Sequence, residues 1–223
     1  MYQELVLNND PKSIISETIR TLRTNLQFAS VDKKIKTILI TRSVPGEGKS
    51  FIAANLACAF AQSGSRVLLV DCDIRKGRQH YIFNSHNKSG LSNLLLENVK
   101  EKYMDYIQET RIKNLSVMFR GVTPPNPSEL LGSSKNKELI EILRNEYDIV
   151  IFDSAPINGG LTDSSIMSTL VDGVVIVSSC KETPISLLNN TKKSLQNVNA
   201  NILGVVLNRS SSKSKKYYGH YYG

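Results

Sequence analysis

The stretch 43–50, SVPGEGKS, combines residue types that can bind a row of phosphate groups. Gly46 and Gly48 let the backbone bend so that its N–H groups point at phosphate oxygens. Lys49 can reach the terminal phosphates of a nucleotide, and the Ser50 hydroxyl can bind Mg²⁺. We therefore predict a nucleotide site in this loop. Its residues are Pro45, Gly46, Glu47, Gly48, Lys49, Ser50 and Phe51.

Three aspartates stand where two apolar stretches end. Asp71 and Asp73 close VLLVDCD, and Asp153 closes DIVIFD. Because the carboxyl ends of parallel strands meet at one edge of a sheet, we expect these carboxylates to lie beside the phosphate-binding loop. Any one of them alone is commonly a helix N-cap. Three together are costly to bury unless a cation neutralises them, so the pattern predicts Mg²⁺ held together with the phosphates of a nucleotide.

Strand-length apolar runs alternate with helix-length segments along most of the chain. The six runs are TILIT from Thr37, RVLLVD from Arg66, LSVMF from Leu115, DIVIFD from Asp148, GVVIVS from Gly173 and ILGVVLN from Ile202. Each run is typical of a strand buried on both faces. The helical segment after the glycine-rich loop ends at Gly64. This order predicts an α/β fold over residues 37–208, with a doubly wound, mostly parallel sheet flanked by helices.

The segment ISETIRTLRTNLQF, within residues 1–36, has the spacing of an amphipathic helix. Its apolar face consists of Ile15, Ile19, Leu22 and Leu26. Glu17, Arg20 and Arg23 recur every three residues on another face. On residue types alone, this second face is a solvated surface with local ion pairs, each contributing about 0.2–0.5 kcal/mol.

The regular spacing stops after Asn208, and residues 209–223 consist mainly of serine, lysine, tyrosine and glycine. A segment with so little aliphatic content cannot bury a core, so we expect a disordered C-terminal tail. Four of its tyrosines lie close together: Tyr217, Tyr218, Tyr221 and Tyr222.

Charge and cysteine content narrow the function classes. The formal net charge is +8, but part of the excess lies in the lysines of the tail. The sequence shows no basic stripe interleaved with aromatic residues, and this disfavours nucleic-acid binding. Cys58, Cys72 and Cys180 are far apart and lack CxxC spacing, which disfavours a disulfide framework or a zinc site. Without a signal-peptide pattern or a membrane-length apolar run, we expect a cytoplasmic chain.

Nearly the whole chain resembles the bacterial tyrosine kinases, or BY-kinases, which govern capsular and exopolysaccharide synthesis. The similarity is carried by SETIRTLRTN, PGEGKS, VDCDIR, GLSNLL, PPNPSELLGS, DIVIFDSAP, LTD, GVVLN and the tyrosine cluster. The PPNPSELL stretch and the tyrosines are the most specific, because ordinary P-loop ATPases lack both. The resemblance implies a P-loop NTPase-type fold. It also implies a protein-tyrosine autokinase that uses ATP and Mg²⁺ to phosphorylate its own tail.

The resemblance also assigns roles to single residues. The catalytic residues that it implies are Lys49, Asp71 and Asp73. The implied metal ligands are Ser50, Asp73 and Asp153. Asp71 would accept the tyrosine proton, and Asn208 would hold the nucleotide base. The implied subunit contact, an E-x-x-R-x-x-R pattern, comprises Glu17, Arg20 and Arg23. The implied phosphate acceptors are Tyr217, Tyr218, Tyr221 and Tyr222.

The partners that the resemblance implies are a homo-oligomeric ring, the cytoplasmic tail of a transmembrane activator and a phosphotyrosine phosphatase. The activator would recruit the chain to the inner face of the cell membrane. The chain departs from the usual pattern at four places. Arg42 replaces a small hydroxyl residue, and Ser43 replaces the first glycine of the loop. Gly77 replaces a common proline, and SAP at 154–156 replaces the usual TPP. None removes a charged group needed for chemistry, so they bear on loop geometry rather than on activity.

Two other functions are alternatives to a kinase. A partitioning or septum-positioning ATPase of the ParA/MinD type shares the P-loop and the second-strand aspartate. Those proteins carry a lysine where this chain has Val44, and Arg75 after the DxD pattern favours the kinase. A non-catalytic nucleotide-binding scaffold would tolerate the loss of Lys49 or Asp71, and both residues are present.

Overall fold

A computed structural model describes residues 4–29, 34–157, 162–180 and 182–210. The N-terminal helical segment, the phosphate-binding loop and the strand ends that carry the three aspartates lie within these ranges. The four tail tyrosines lie outside the described residues, and so does almost all of the predicted disordered tail.

Seven strands form a single sheet in the described part of the chain. They are β1 (Thr37–Arg42), β2 (Val67–Asp71), β3 (Gln108–Glu109), β4 (Leu115–Met118), β5 (Ile149–Pro156), β6 (Gly173–Ser179) and β7 (Ile202–Asn208). Their order is β3-β4-β2-β5-β1-β6-β7, and all neighbours are parallel except β3 and β4. The mostly parallel α/β fold and its six predicted strands are confirmed. The exposed, two-residue β3 is too short to leave an apolar pattern in the sequence.

Helices flank this sheet on both faces. They are α1 (Val6–Asn9), α2 (Ile14–Gln27), α3 (Lys49–Gln62), α4 (Gln79–Ile82), α5 (Leu91–Leu94), α6 (Val99–Lys102), α7 (Pro127–Gly132), α8 (Ser134–Glu146), α9 (Asp163–Ser168) and α10 (Ile185–Asn197). A 3₁₀-helix spans Tyr103–Tyr106. Across the described ranges, no helix has both the length and the apolar character that a membrane crossing needs.

Alternate residues of each central strand belong to two different apolar clusters. In β2, Leu68 and Val70 contribute to the cluster that contains α8, whereas Leu69 contributes to the cluster that contains α3. Successive side chains of a strand point to opposite faces of the sheet, so each face carries its own core. This double burial explains why the strands are apolar without alternation.

The helix after the phosphate-binding loop is apolar on every side. All residues of α3 from Ile52 to Ala61 are buried, because the helix lies between the sheet and the N-terminal segment. Gly64 follows its C-terminal end with φ of 96°, which confirms the predicted stop. In α2, Ile19 and Leu26 are buried as predicted, but Ile15, one turn earlier, is 50% exposed.

Candidate active site

The loop between β1 and α3 has the form of a phosphate-binding loop. Gly46 and Gly48 adopt φ of 92° and 84°, in the left-handed region that favours glycine. Lys49 and Ser50 form the first turn of α3, and both are buried. The helix N-terminus therefore points its free N–H groups into the loop, where phosphate oxygens would bind.

The carboxylates lie at the same edge, because β2 and β5 are neighbours in register. Asp71 is the direct partner of Asp153 across the two strands. Asp153 forms a buried ion pair with the Lys49 ammonium, and its other oxygen accepts a hydrogen bond from Gln79 Nε2 at 2.8 Å. The structure thus brings Lys49, Asp71 and Asp153 into one buried cluster.

Asp71 is the least satisfied member of this cluster. Its Oδ2 accepts the Gln79 backbone N–H at 3.0 Å, but its Oδ1 is buried and accepts no hydrogen bond. Complete burial, and next the charge of Asp153, raise the pKa of Asp71 well above its ordinary value. Gly77 packs directly against this carboxylate, since a Cβ at position 77 would overlap the Asp71 oxygens. Glycine, where the family usually has proline, therefore leaves room for the Asp71 carboxylate.

These residues fit a magnesium ion. Ser50, Asp73 and Asp153 offer hard oxygen ligands, and the unpartnered oxygen of Asp71 is a buried acceptor that a cation would stabilise. Among the described residues, no three His, Cys, Asp or Glu side chains converge on one point. Mg²⁺ needs no such cage, because it commonly takes one or two carboxylates and completes its shell with phosphates and water.

Asp73 and Arg75 organise the loop that follows β2. Asp73 Oδ1 accepts the Lys76 N–H at 2.9 Å. The Arg75 guanidinium binds both oxygens of Asp163, at 2.8 Å through Nε and 3.4 Å through an NH2 group. Ser128 also donates to Asp163, which is only 1% exposed. The PPNPSELL and LTD stretches are thereby joined to the loop of Asp73.

The end of β7 closes over the phosphate-binding loop. Asn208 Nδ2 donates to the Glu47 carbonyl at 2.9 Å and lies so close to Gly48 that a Cβ there would overlap it. Arg209 donates to the Gly46 carbonyl at 2.9 Å. A cavity of about 270 Å³ is lined by Gly46, Gly48, Asn208 and Arg209 and by Phe51. Its place fits the predicted contact of Asn208 with a nucleotide, which stays a prediction.

The remaining predicted site residues lie in α2 or outside the described ranges. Glu17 and Arg20 pair with each other on the surface of α2, and Arg20 also donates to the Pro11 carbonyl at 2.8 Å. Arg23 donates to Thr24 Oγ1 at 3.4 Å. The pairing of Glu17 with Arg20 is expected of a solvated face, whereas Arg23 is half-buried and its Nε is buried without a hydrogen-bond partner. The predicted subunit contact is not tested by these contacts.

The chain matches proteins of known families over most of its length. A family model described as an AAA domain matches residues 35–205. The tyrosine-protein kinase YwqD of Bacillus subtilis is 40% identical over 221 residues, which cover 99% of this chain and 92% of that protein. The chimerical protein CapA2B2 superposes with a TM-score of 0.88 at 42% identity, covering 94% of this chain and 91% of that one. The chain belongs to the bacterial tyrosine kinase family. The predicted family and enzyme class are thereby confirmed.

The comparison with a septum-positioning ATPase is weaker. The cell division ATPase MinD of Pyrococcus furiosus superposes with a TM-score of 0.64 at 25% identity, covering 79% of this chain and 74% of that one. The shared part is the P-loop fold, which binds a nucleotide. The kinase family therefore takes precedence over the ParA/MinD alternative.

The sequence did not predict two residues that hold the site of this kinase in place, Gln79 and Asp163. Gln79 is fully buried and bonds Asp71, Asp153 and the Ser50 carbonyl at 3.1 Å. Nothing in its sequence neighbourhood predicts burial, because glutamine is usually exposed. Asp163 could have been found through the LTD stretch, which the family resemblance includes.

Proposed function

We propose that this chain transfers the γ-phosphoryl group of ATP to the tyrosines of its own C-terminal tail. The supporting observation is the convergence of Lys49, Asp153 and Asp71 at the mouth of the phosphate-binding loop. A buried carboxylate oxygen without a donor stands there, beside a cation that can bind phosphate. The capsule and exopolysaccharide setting of the family is proposed for this chain as well.

The chemical step needs a base, because a phenol with a pKa near 10 is a poor nucleophile at neutral pH. Asp71 is suited to accept the tyrosine proton, since its raised pKa brings its proton affinity closer to that of the reacting group. Lys49 would exchange its ion pair with Asp153 for the terminal phosphates, and the loop N–H groups would hold their oxygens. Mg²⁺, held by Ser50, Asp73 and Asp153, would neutralise phosphate charge.

The tail is long enough to reach its own active site or that of a neighbour. Fifteen residues after Asn208 extend to roughly 50 Å, whereas a domain of this size has a radius of gyration near 17 Å. A subunit contact through Glu17, Arg20 and Arg23 would raise the effective concentration of each tail at the next site. We therefore favour transfer between subunits of a ring.

Phosphorylation would also change the charge of the tail. Each phosphate adds about −1.5 to −2 charge at neutral pH, so four add roughly −6 to −8. This is comparable to the formal +8 of the whole chain. A ring that needs tails bound in neighbouring sites would then loosen, and a phosphotyrosine phosphatase would restore it. The cytoplasmic tail of a transmembrane activator would keep the ring at the inner face of the membrane.

A mixing experiment tests the transfer between subunits. A Lys49→Met chain, distinguishable by mass, is incubated with the unmodified chain, ATP and Mg²⁺, and the tail is analysed by mass spectrometry. We expect phosphotyrosine on the inactive chain, and its absence there alongside phosphate on the active chain would leave only transfer within one subunit. Asp71→Asn serves as a second inactive chain.

Two controls separate the parts of the proposal. The unmodified chain without Mg²⁺ should yield no phosphotyrosine, whereas free phosphate without any phosphotyrosine would indicate a plain ATPase instead of a kinase. Size-exclusion profiles before and after phosphorylation test the ring. Identical profiles would contradict the proposed loosening.

A further inference from the structure

Glu47 is a buried carboxylate inside the phosphate-binding loop. It is 2% exposed although it lies between two glycines at the tip of the loop. Its Oε2 accepts the Val44 N–H at 2.9 Å. Its Oε1 accepts the Ser179 N–H at 3.3 Å and the Thr183 hydroxyl. Both oxygens are therefore bound to protein donors, and the side chain points into the fold.

These bonds join the loop to the segment between β6 and α10. Ser179 is the last residue of β6, and Thr183 immediately precedes the N-cap of α10. Thr191, within α10, donates to the Ser43 hydroxyl at 2.9 Å and so adds a second link to the start of the same loop. This contact also gives a reason for serine where the family pattern has glycine.

The bonds from β7 attach to the same loop from another side. Asn208 and Arg209 donate to the carbonyls of Glu47 and Gly46. Phosphate binds to N–H groups, and those carbonyls are not needed for it. The loop is thus held through its carbonyls and through one carboxylate, which leaves its remaining N–H groups free for an anionic ligand.

We propose that Glu47 is a positioning residue, whose carboxylate sets the shape of the phosphate-binding loop by fastening it to Ser179 and Thr183. Its carboxylate would make no contact with the nucleotide, because both oxygens are bound to protein donors; the backbone N–H of Glu47 stays part of the predicted nucleotide site. The inference rests on the proposed function, because it takes the bound nucleotide to be ATP. It assigns to the glutamate of PGEGKS and to the β6–α10 segment a common part in nucleotide affinity.

The change Glu47→Gln tests the positioning role, because glutamine has nearly the same size and shape as glutamate. Each carboxylate oxygen faces a backbone N–H group, so the amide nitrogen of glutamine must face one of them in either orientation. Two donors then oppose each other, and one loop contact is lost. We expect the dissociation constant for Mg-ADP, measured by calorimetry on the full chain, to rise about tenfold.

A matched control separates positioning from general destabilisation. Asp172→Asn also removes a partly buried carboxylate that accepts backbone N–H groups, at the opposite end of the sheet. It should leave the dissociation constant for Mg-ADP within about twofold of the unmodified chain. An equal weakening of binding by both changes would overturn the proposal.

Thr183 provides a second, milder test if Glu47→Gln does not fold. Thr183→Val removes the hydroxyl that donates to Glu47, and Thr183→Ser keeps it. Weaker Mg-ADP binding by the valine variant, about threefold, with rescue by the serine variant supports the proposal. Equal affinities of the two variants would overturn it. Because ADP binding requires no transfer, this outcome is independent of whether the chain phosphorylates tyrosine.

A kinetic measurement separates weaker nucleotide binding from a loss of folded protein, because a smaller amount of folded protein does not raise KM. Glu47→Gln should raise KM for ATP about tenfold and leave kcat within about threefold of the unmodified chain. A lower kcat at unchanged KM would instead assign Glu47 to the transfer step and would contradict the proposal.

Discussion

Each end of the sheet places an aspartate beside a basic residue, but the pKa of the two aspartates is shifted in opposite directions. At the carboxyl end, Asp71 has one oxygen without a donor, and its pKa is raised by burial and then by Asp153. At the amino end, burial also opposes the charge of Asp172, but hydrogen bonds from Lys36 and Thr37 outweigh it and lower the pKa. Burial costs the same kind of free energy at both ends. Asp172 has protein partners at both of its oxygens, whereas Asp71 Oδ1 has none.

This difference separates a structural site from a functional one. Asp172 accepts two N–H groups and the Thr37 hydroxyl at 2.9–3.0 Å and lies 3.3 Å from the Arg144 guanidinium. It closes the start of β1 and needs no ligand. Asp71 retains an acceptor oxygen that could bind a cation or, in the proposed reaction, a phenol proton. Its unfavourable electrostatics in the free protein would then become favourable when substrate binds.

The largest effect is expected for Lys49→Met. The change removes the cation that pairs with Asp153, and it leaves that carboxylate beside Asp71 without compensation. We expect a loss of phosphotyrosine formation of about 10²–10³-fold or more. Breaking a buried pair should also lower the free energy of unfolding by about 3–5 kcal/mol. Urea unfolding checks the second value, and unchanged stability would mean that the pair is not buried in solution.

Asp71→Asn should separate activity from stability. Removal of the proposed base is expected to lower phosphotransfer by about 10²–10⁴-fold. The folded pKa of Asp71 lies above its unfolded value, so this group stabilises the fold most at low pH. That contribution is lost as pH rises through the folded pKa. At pH values above the folded pKa of Asp71, the neutral asparagine should therefore raise the free energy of unfolding of the ligand-free chain, on the order of 1 kcal/mol.

Urea titrations of both chains between pH 4 and pH 8 check this prediction. A variant that is less stable than the unmodified chain at every pH would show that Asp71 is well satisfied in the free protein. Asp71 and Asp172 would then not differ in how well the protein satisfies them.

Asp172→Asn should produce the reverse pattern. The lowered pKa means that Asp172 stabilises the fold above its unfolded pKa and that this contribution is lost as pH falls through the folded value. At neutral pH the variant should be less stable by about 1–3 kcal/mol, with phosphotransfer per folded molecule unchanged. The deficit should shrink on acidification, as followed by thermal melts. A deficit that stays constant down to acidic pH would contradict the role of its charge.

The smallest effect is expected for Ser128→Ala. Asp163 lies near the active-site end but, like Asp172, it is held by several donors, among them Arg75 and Ser128. Loss of one neutral donor should cost about 0.5–1.5 kcal/mol in the free energy of unfolding. Phosphotransfer should change by less than about threefold. A much larger loss of activity would show that the hydrogen bond from Ser128 to Asp163 contributes to the reaction as well as to the stability of the fold.

Much of the site was predictable because its signals are local. The glycines of PGEGKS, the lysine and serine at the start of α3 and the aspartates at two strand ends all depend on spacing within a few residues. The parallel sheet then brings strand ends to one edge, as expected for strands joined by helical crossovers. The edge strand β3 and the exposure of Ile15 escaped prediction, because two residues or one turn carry too little pattern.

Periodicity and residue types at fixed offsets predict the fold class, the phosphate-binding loop and the aspartates near it. They do not predict which carboxylate is satisfied, because most of the donors come from other parts of the chain. Gln79 donates to Asp153, Ser179 and Thr183 donate to Glu47, and the start of β1 donates to Asp172. Burial and the donors that meet a buried oxygen are properties of the packed chain, so two aspartates that look alike in sequence acquire opposite shifts in pKa.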